Sequence, residues 1–410
     1  MNSNVSQSGA MVDATGTKTN VTELSKVRRA IAVLALSLGC FSFVSTELMP
    51  VGVLPSMAAG LHVSLGAAGY LVTCFAFLVA LTATPLTSLF GHINRKALMA
   101  ALLAVCCVGN LVTYVAPNYA IVLVGRVMVA AAIGVFWSTA VVTAVHLVSA
   151  RNAIRATSIV FGGVSLATVL GVPAGTILGE HEGWRAVFAA LAALSLLVFV
   201  AIAWSVPAVR ITNASIGGAM SRVLKSGRLM AIFVTTAFIV MGNFLAYTYI
   251  APYLEQIAHQ TASQTSVMLL IYGGAGVISN FAIGPFAARS LRGCLITITL
   301  MLAISLIIMN TAAASYYSMV VAFTIWGAAY GALPVLLQTS VFKHASVIEG
   351  GADAATSINV AVFNAGIGLG ALIGGLIINH AGPHIIPAAS AGFVILGLIV
   401  ILVTGERRAR

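Results

Sequence analysis

Ala156-Thr157-Ser158-Ile159 recurs 199 residues later as Ala355-Thr356-Ser357-Ile358. At the same offset Gly171 meets Gly370, Gly175 meets Gly374, His181 meets His380 and Gly183 meets Gly382. Offsets of 197 and 202 bring Arg95 to Arg292, Gly134 to Gly331 and Pro50 to Pro252. One such match means little in a chain with 39 glycines. Ordered matches at nearly one spacing describe a unit of half the chain that occurs twice.

Hydropathy says what that unit is. Hydrophobic residues make up 60% of the chain, charged ones 7%, and the mean hydropathy is +1.06. Apolar runs long enough to cross a hydrocarbon core occupy residues 30–54, 66–90, 97–116, 118–145, 154–178, 185–206, 229–252, 265–287, 294–313, 316–341, 353–378 and 385–404. Runs of that length are expected to be helices, because each must pair its backbone groups internally; the short alternating strands of a membrane barrel are absent. The longest polar stretch between runs, Pro207 to Arg228, divides them six and six. The expected organisation is a disordered tail over 1–27, a six-helix bundle over 28–206, a central loop over 207–228, a second bundle over 229–404 and a basic tail over 405–410. Six is even, so both copies insert in the same direction. Parallel repeats of this kind belong to carriers that bind substrate near mid-membrane between the halves and alternate its access.

The net charge of +11 raises the question of nucleic acid. Its distribution answers it. Lys26, Arg28 and Arg29 precede the first run, Arg95 and Lys96 follow the second, and Arg151 and Arg155 follow the fourth. Arg222, Lys225 and Arg228 follow the sixth, Arg289 and Arg292 the eighth, and Lys343 the tenth; the intervening connections carry only Arg185. This alternation follows the positive-inside rule and places both termini in the cytoplasm. The first run is too long for a signal-peptide core and is expected to be retained. The five cysteines show no metal or disulfide spacing. Phosphate-loop, metal-protease and Ser/His/Asp patterns are absent, so no enzyme is expected.

Two charges, Glu47 and Arg126, lie deep within apolar runs, where a charge needs a reason. Counted from the outer ends of the first and fourth runs at 1.5 Å per residue, both sit at about 10–12 Å depth. They are expected to pair, which offsets part of each desolvation cost, and to form the proton-coupling site. A static ion pair and a substrate-binding role for Arg126 are the alternatives. Candidates for substrate contact are Asn243 and Tyr247, on one face of the seventh run, Gln338 in the tenth, Asn359 and Asn364 in the eleventh, and Phe136 and Trp137 in the fourth. Interhelical hydrogen bonding and core packing are the competing roles. Gly171, Gly175 and Gly179, with Pro173 between them, and the copy containing Gly370 and Gly374 are expected to be helix-packing surfaces.

Several segments resemble the drug/proton antiporter group of the major facilitator superfamily, and within it bacterial sugar-efflux, arabinose-efflux-like and purine-ribonucleoside-efflux permeases. The resemblance covers about residues 28–404. It rests on Thr46-Glu47-Leu48-Met49-Pro50-Val51-Gly52-Val53-Leu54-Pro55, on Arg126 followed by Gly134-Val135-Phe136-Trp137, on Tyr247-Thr248-Tyr249-Ile250-Ala251-Pro252-Tyr253-Leu254 and on Phe363-Asn364-Ala365-Gly366-Ile367-Gly368. It implies an all-α major facilitator fold of twelve helices in two halves related by a pseudo-two-fold axis, in the bacterial inner membrane. It also implies export of a small organic solute, a sugar or nucleoside, by proton antiport. A multidrug or chloramphenicol-type pump and an uncoupled or inward-directed facilitator are the alternatives. No cofactor beyond the proton gradient, no nucleic acid and a monomer in the bilayer are expected. Two departures stand out. The family's loop after the second helix carries an aspartate; here Gly91 stands in its place, and Ala288 in the second copy, so Arg95, Lys96, Arg289 and Arg292 are expected to gate through other groups, such as helix C-termini. The family's Gly-Pro step in the fifth helix is here Gly171-Val172-Pro173.

Overall fold

The structure, a computed structural model, describes residues 12–13, 25–90, 93–148, 152–210, 219–348 and 351–406. Among the described residues, twelve helices are long and apolar enough to span a membrane: Lys26–Gly60, Leu65–Ala83, Arg95–Val115, Tyr119–His146, Arg155–Glu182, Trp184–Ser205, Gly227–Thr248, Ala262–Arg289, Leu291–Thr311, Tyr316–Ala345, Ala354–Ala381 and Pro383–Thr404. They are called spans one to twelve. Their starts are set by polar caps just outside the apolar runs. Ser25 accepts from the Arg28 amide, Asn94 from Ala97, Asn118 from Ile121, and Thr261 and Gln264 form a reciprocal capping box. Each cap satisfies an amide that the helix cannot pair itself. The long runs of exposed Leu, Ile, Val and Phe on these helices suit a hydrocarbon solvent rather than water.

The duplication seen in the sequence is a duplication of contacts. A Cβ at Gly171, Gly175 or Gly179 of span five would meet Ser45, Met49 or Val53 of span one. One at Gly366, Gly370 or Gly374 of span eleven would meet Val240, Met241 and Leu245, or Tyr249, on span seven and the turn after it. In both halves a glycine row therefore lets the fifth helix lie against the first. The halves join along spans two and eleven and along spans five and eight. Gly66 of span two donates its amide to Asn379 of span eleven at 3.2 Å, and a Cβ on Gly69 of span two would strike the Tyr249 hydroxyl just beyond span seven. These contacts lie at the end of the bundle opposite the basic connections.

Proline shapes the helices that meet at the centre. Pro50 and Pro55 lie inside span one, and Val53 between them leaves helical geometry (φ −122°, ψ 19°). Span five passes through a π-helical segment, Ala167–Gly171, just before Pro173. A proline that cannot donate disrupts the regular ladder one turn before it. Span eight crosses at this segment: a Cβ on Gly273 would lie 2.7 Å from the Thr168 carbonyl oxygen.

Two short elements lie within the expected tail and central loop. Val12–Asp13, within the stretch read as a disordered tail, pairs antiparallel with Val209–Arg210, because the extended backbone after span six offers it an edge. The central loop read over 207–228 contains a short helix, Ala219–Leu224. The remainder of 1–24, residues 211–218, Gly91, His92, Arg151 and residues 407–410 lie outside the described residues.

Candidate functional site

Arg126 is buried (1% exposed) in span four and reaches across to span one. Its guanidinium donates through Nη1 to the carbonyl of Thr46 and through Nη2 to the carbonyl of Glu47 at 3.0 Å. The reason lies four residues on. In a helix the Thr46 carbonyl would accept from the amide of residue 50, and residue 50 is a proline. Arg126 thus supplies the donor that Pro50 lacks. The guanidinium also lies 4.2 Å from the centroid of the Phe75 ring on span two, a cation–π contact that offsets some lost hydration. Thr46 accepts a further bond from Asn110 of span three at 3.1 Å, and Ser42, Cys106 and Ser195 continue the polar cluster.

The expected ion pair is therefore corrected. Glu47 and Arg126 are neighbours whose charges act on one another, yet the guanidinium binds backbone rather than the carboxylate. The carboxylate makes no hydrogen bond or ion pair among the described residues and is partly exposed. Sequence spacing located both residues but could not see that a backbone carbonyl competes for the same donor.

The second half builds an aromatic wall. Tyr247 of span seven stacks on Tyr272 of span eight (centroids 5.1 Å apart, planes 28°), and Tyr272 lies nearly parallel to Tyr330 of span ten (6.5 Å, 19°). Trp326 meets Tyr272 edge-on at 4.8 Å and donates its indole N–H to Asn243 Oδ1 at 2.8 Å. The Asn243 amide is buried and interacts with the Tyr272 hydroxyl. Tyr330 and Glu47 interact electrostatically across the two halves. The sequence reading named Asn243 and Tyr247 as candidates and did not name Tyr272, Trp326 or Tyr330, which the structure packs with them. A usable signal was present: each immediately precedes a glycine (Gly273, Gly327, Gly331). Those glycines sit at helix crossings, where a Cβ on Gly327 would meet the Tyr272 backbone and one on Gly331 would meet Gly276.

Other candidates lie elsewhere. Phe136 is fully buried inside the first half, against Phe43 (4.8 Å) and Gly39. It packs the core, since the small Gly39 opposite draws the ring inward. Trp137 packs on Phe161 of span five at 5.9 Å. Gln338 and Asn359 bond one another (3.1 Å), Gln338 donates to Thr356 (2.9 Å) and Thr236 to Asn359 (3.3 Å). These amides tie spans seven, ten and eleven together. Asn364 donates to Val360 of its own helix at 3.0 Å and is half-buried. Arg292 meets the carbonyls of Ile401 (3.4 Å) and Leu402 (3.1 Å) near the end of span twelve, favourable for a cation at a helix C-terminus. Arg95 is fully buried, not on a loop surface; Lys96 beside it is half-buried and Arg289 is exposed.

The arrangement brings a carboxylate on span one within electrostatic reach of a phenol in the aromatic wall of the second half. Among the described residues no group of three His, Cys, Asp or Glu is placed to hold a metal.

A family model described as Major Facilitator Superfamily matches residues 34–352 and 232–410. The Inner membrane transport protein YdhP of Escherichia coli K12 is 32% identical over 380 residues, covering 90% of this chain and 94% of that protein; its counterpart in E. coli O157:H7 matches equally. Among solved structures, a bacterial homologue of the human lysosomal transporter Spinster, inward-facing and unoccupied, superposes with TM-score 0.76 at 16% identity, covering 93% of this chain and 98% of its own. A mutant of the nucleoside transporter NupG superposes with TM-score 0.78 at 11% identity, covering 92% and 99%. Duplicated glycine-row packing and twelve apolar spans thus belong to a multi-pass membrane transporter, and the chain is a member of the Major Facilitator Superfamily.

Proposed function

We propose that this transporter exports a small organic solute across the bacterial inner membrane in exchange for protons, with Glu47 as the site where proton and solute compete. The observation that carries this reading is the free carboxylate. Arg126 sits beside it but is engaged by the Thr46 and Glu47 carbonyls. Glu47 is thus left without a fixed counter-ion at a depth where an ionisable group is costly. A group that only held span one in place would be satisfied by its neighbour. A group that gives up its proton on one side and takes one up on the other must be free to do so, while Arg126 keeps the local potential positive enough for release. Asn243, Tyr247, Tyr272 and Tyr330 offer the solute hydrogen bonding from the amide and phenols and stacking from the ring faces. Gly66 of span two bonds Asn379 of span eleven at the end away from the basic connections, a contact between the halves that suits loading of solute from the cytoplasm.

The test uses purified protein in vesicles with an imposed pH gradient, screened with sugars, nucleosides and amphiphilic drugs. Gradient-driven movement of one class in the wild type and its loss in Glu47→Gln, with solute exchange in the absence of a gradient retained, is the expected result. Full gradient-driven transport by Glu47→Gln sinks the proton role. Gradient-insensitive transport by the wild type makes the protein a facilitator.

A further inference from the structure

A second cavity, of about 420 Å³, opens at the basic end of spans one and five, and Lys26, Arg29 and Arg155 line it together with Val33, Leu34 and Ile159. No carboxylate is among the residues lining it, and none of the three cations has an ion-pair partner among the described residues. The Nε of Arg29 is buried without a hydrogen-bond partner. The Nη2 of neighbouring Arg28 donates to the Trp204 carbonyl at 2.9 Å. Three like charges around one concave space repel one another unless an anion lies between them. The walls specify which anion. Leu34 is 52% exposed, and Leu38, one turn further towards mid-membrane on the same face of span one, is 41% exposed. A hydrated inorganic ion would neutralise the cations and leave this apolar strip unmatched. A molecule with an anionic head and a hydrocarbon tail matches both.

We propose that this cavity is a binding site for an anionic phospholipid, whose phosphate sits among Lys26, Arg29 and Arg155 and whose first acyl carbons lie along Leu34 and Leu38. Basic clusters at the membrane surface attract anionic headgroups, and this one is concave and continuous with an apolar helix face. The site is separate from Glu47 and the aromatic wall, so it stands independently of the transport reading.

Native mass spectrometry of the full chain released from detergent tests it, with phosphatidylglycerol, phosphatidylcholine and inorganic phosphate as probes. The wild type should retain phosphatidylglycerol in preference to phosphatidylcholine, and millimolar phosphate should not displace it. The triple variant Lys26→Gln/Arg29→Gln/Arg155→Gln should lose at least about tenfold in phosphatidylglycerol affinity, whereas Lys225→Gln, a single exposed cation at the same end of the bundle, should not. If the triple variant does not elute as a folded monodisperse species, Arg155→Gln alone, an exposed side chain, should weaken binding by about fivefold. Equal retention of phosphatidylcholine overturns the proposal, as does undiminished phosphatidylglycerol binding by the variants. Displacement by phosphate alone reassigns the cavity to a free anion and overturns the lipid assignment.

Discussion

Replacing Arg126 and Pro50 singly and together tests the central claim about span one, that the arginine serves a carbonyl orphaned by a proline. Arg126→Met removes two hydrogen bonds to backbone carbonyls and the contact over Phe75. An unsatisfied buried acceptor costs about 1–3 kcal/mol, and interhelical bonds measured within membranes run from about 0.6 to about 1.7 kcal/mol. The same substitution removes a buried charge, which is a gain of comparable size. The sign of the single mutant is thus not diagnostic, but the coupling is. Pro50→Ala gives residue 50 an amide, and this amide lies one helical turn from the Thr46 carbonyl. In that background Arg126 is no longer the sole donor, so losing it should cost less. The expected coupling is about 1–1.5 kcal/mol, roughly a tenfold change in the unfolding equilibrium, with the double mutant more stable than the sum of the singles. Reversible unfolding in mixed detergent micelles, followed by tryptophan fluorescence, measures all four corners. The parallel cycle between Arg126→Met and Glu47→Gln should show the smaller coupling, because the guanidinium does not bond the carboxylate. Zero coupling with Pro50 and a large coupling with Glu47 would refute the reasoning and restore the side-chain ion pair.

Other outcomes follow from the same geometry. Gly370→Ala should destabilise by about 1–3 kcal/mol, since its Cβ would strike the backbone at Met241 and Leu245; Gly175→Ala should cost less, since its Cβ would meet only the Met49 thioether, which can swing aside. The same unfolding assay ranks them. Asn243→Ala removes the acceptor of the Trp326 indole and should lower stability by about 1 kcal/mol; if Asn243 also holds the solute, the variant's KM in the vesicle assay should rise as well. Burial and then the charge of Glu180 push the Glu255 carboxyl, in the turn after span seven, above the usual carboxylate range. The folded protein therefore holds that proton more tightly than the unfolded chain, and stability grows as pH falls through the raised value and declines as pH rises. Glu255→Gln should accordingly be more stable than the wild type at neutral pH and lose that advantage in acid, which thermal melts across pH will show.

Much of this was legible in the chain itself. Twelve spans follow from run length, because hydrocarbon leaves a backbone no alternative to internal pairing. The duplication follows from the matched glycines, because only residues without a side chain allow the fifth helix of each half to lie on the first. Glu47 and Arg126 announce themselves as charges without a soluble setting. Tertiary structure decided what those residues do. Pro50 is visible in the sequence, but only the approach of span four shows that its missing amide claims Arg126 and leaves Glu47 free. Phe136 and Trp137 are adjacent to the family-like Gly134 segment, yet the turn of the helix sends Phe136 into the core. Tyr272, Trp326 and Tyr330 come from two spans some fifty residues apart, and no periodicity within either span shows that their rings converge. Local chemistry fixes which segments enter the membrane; the packing of one helix on another fixes which hydrogen-bond partner, among several within reach, each buried polar group takes.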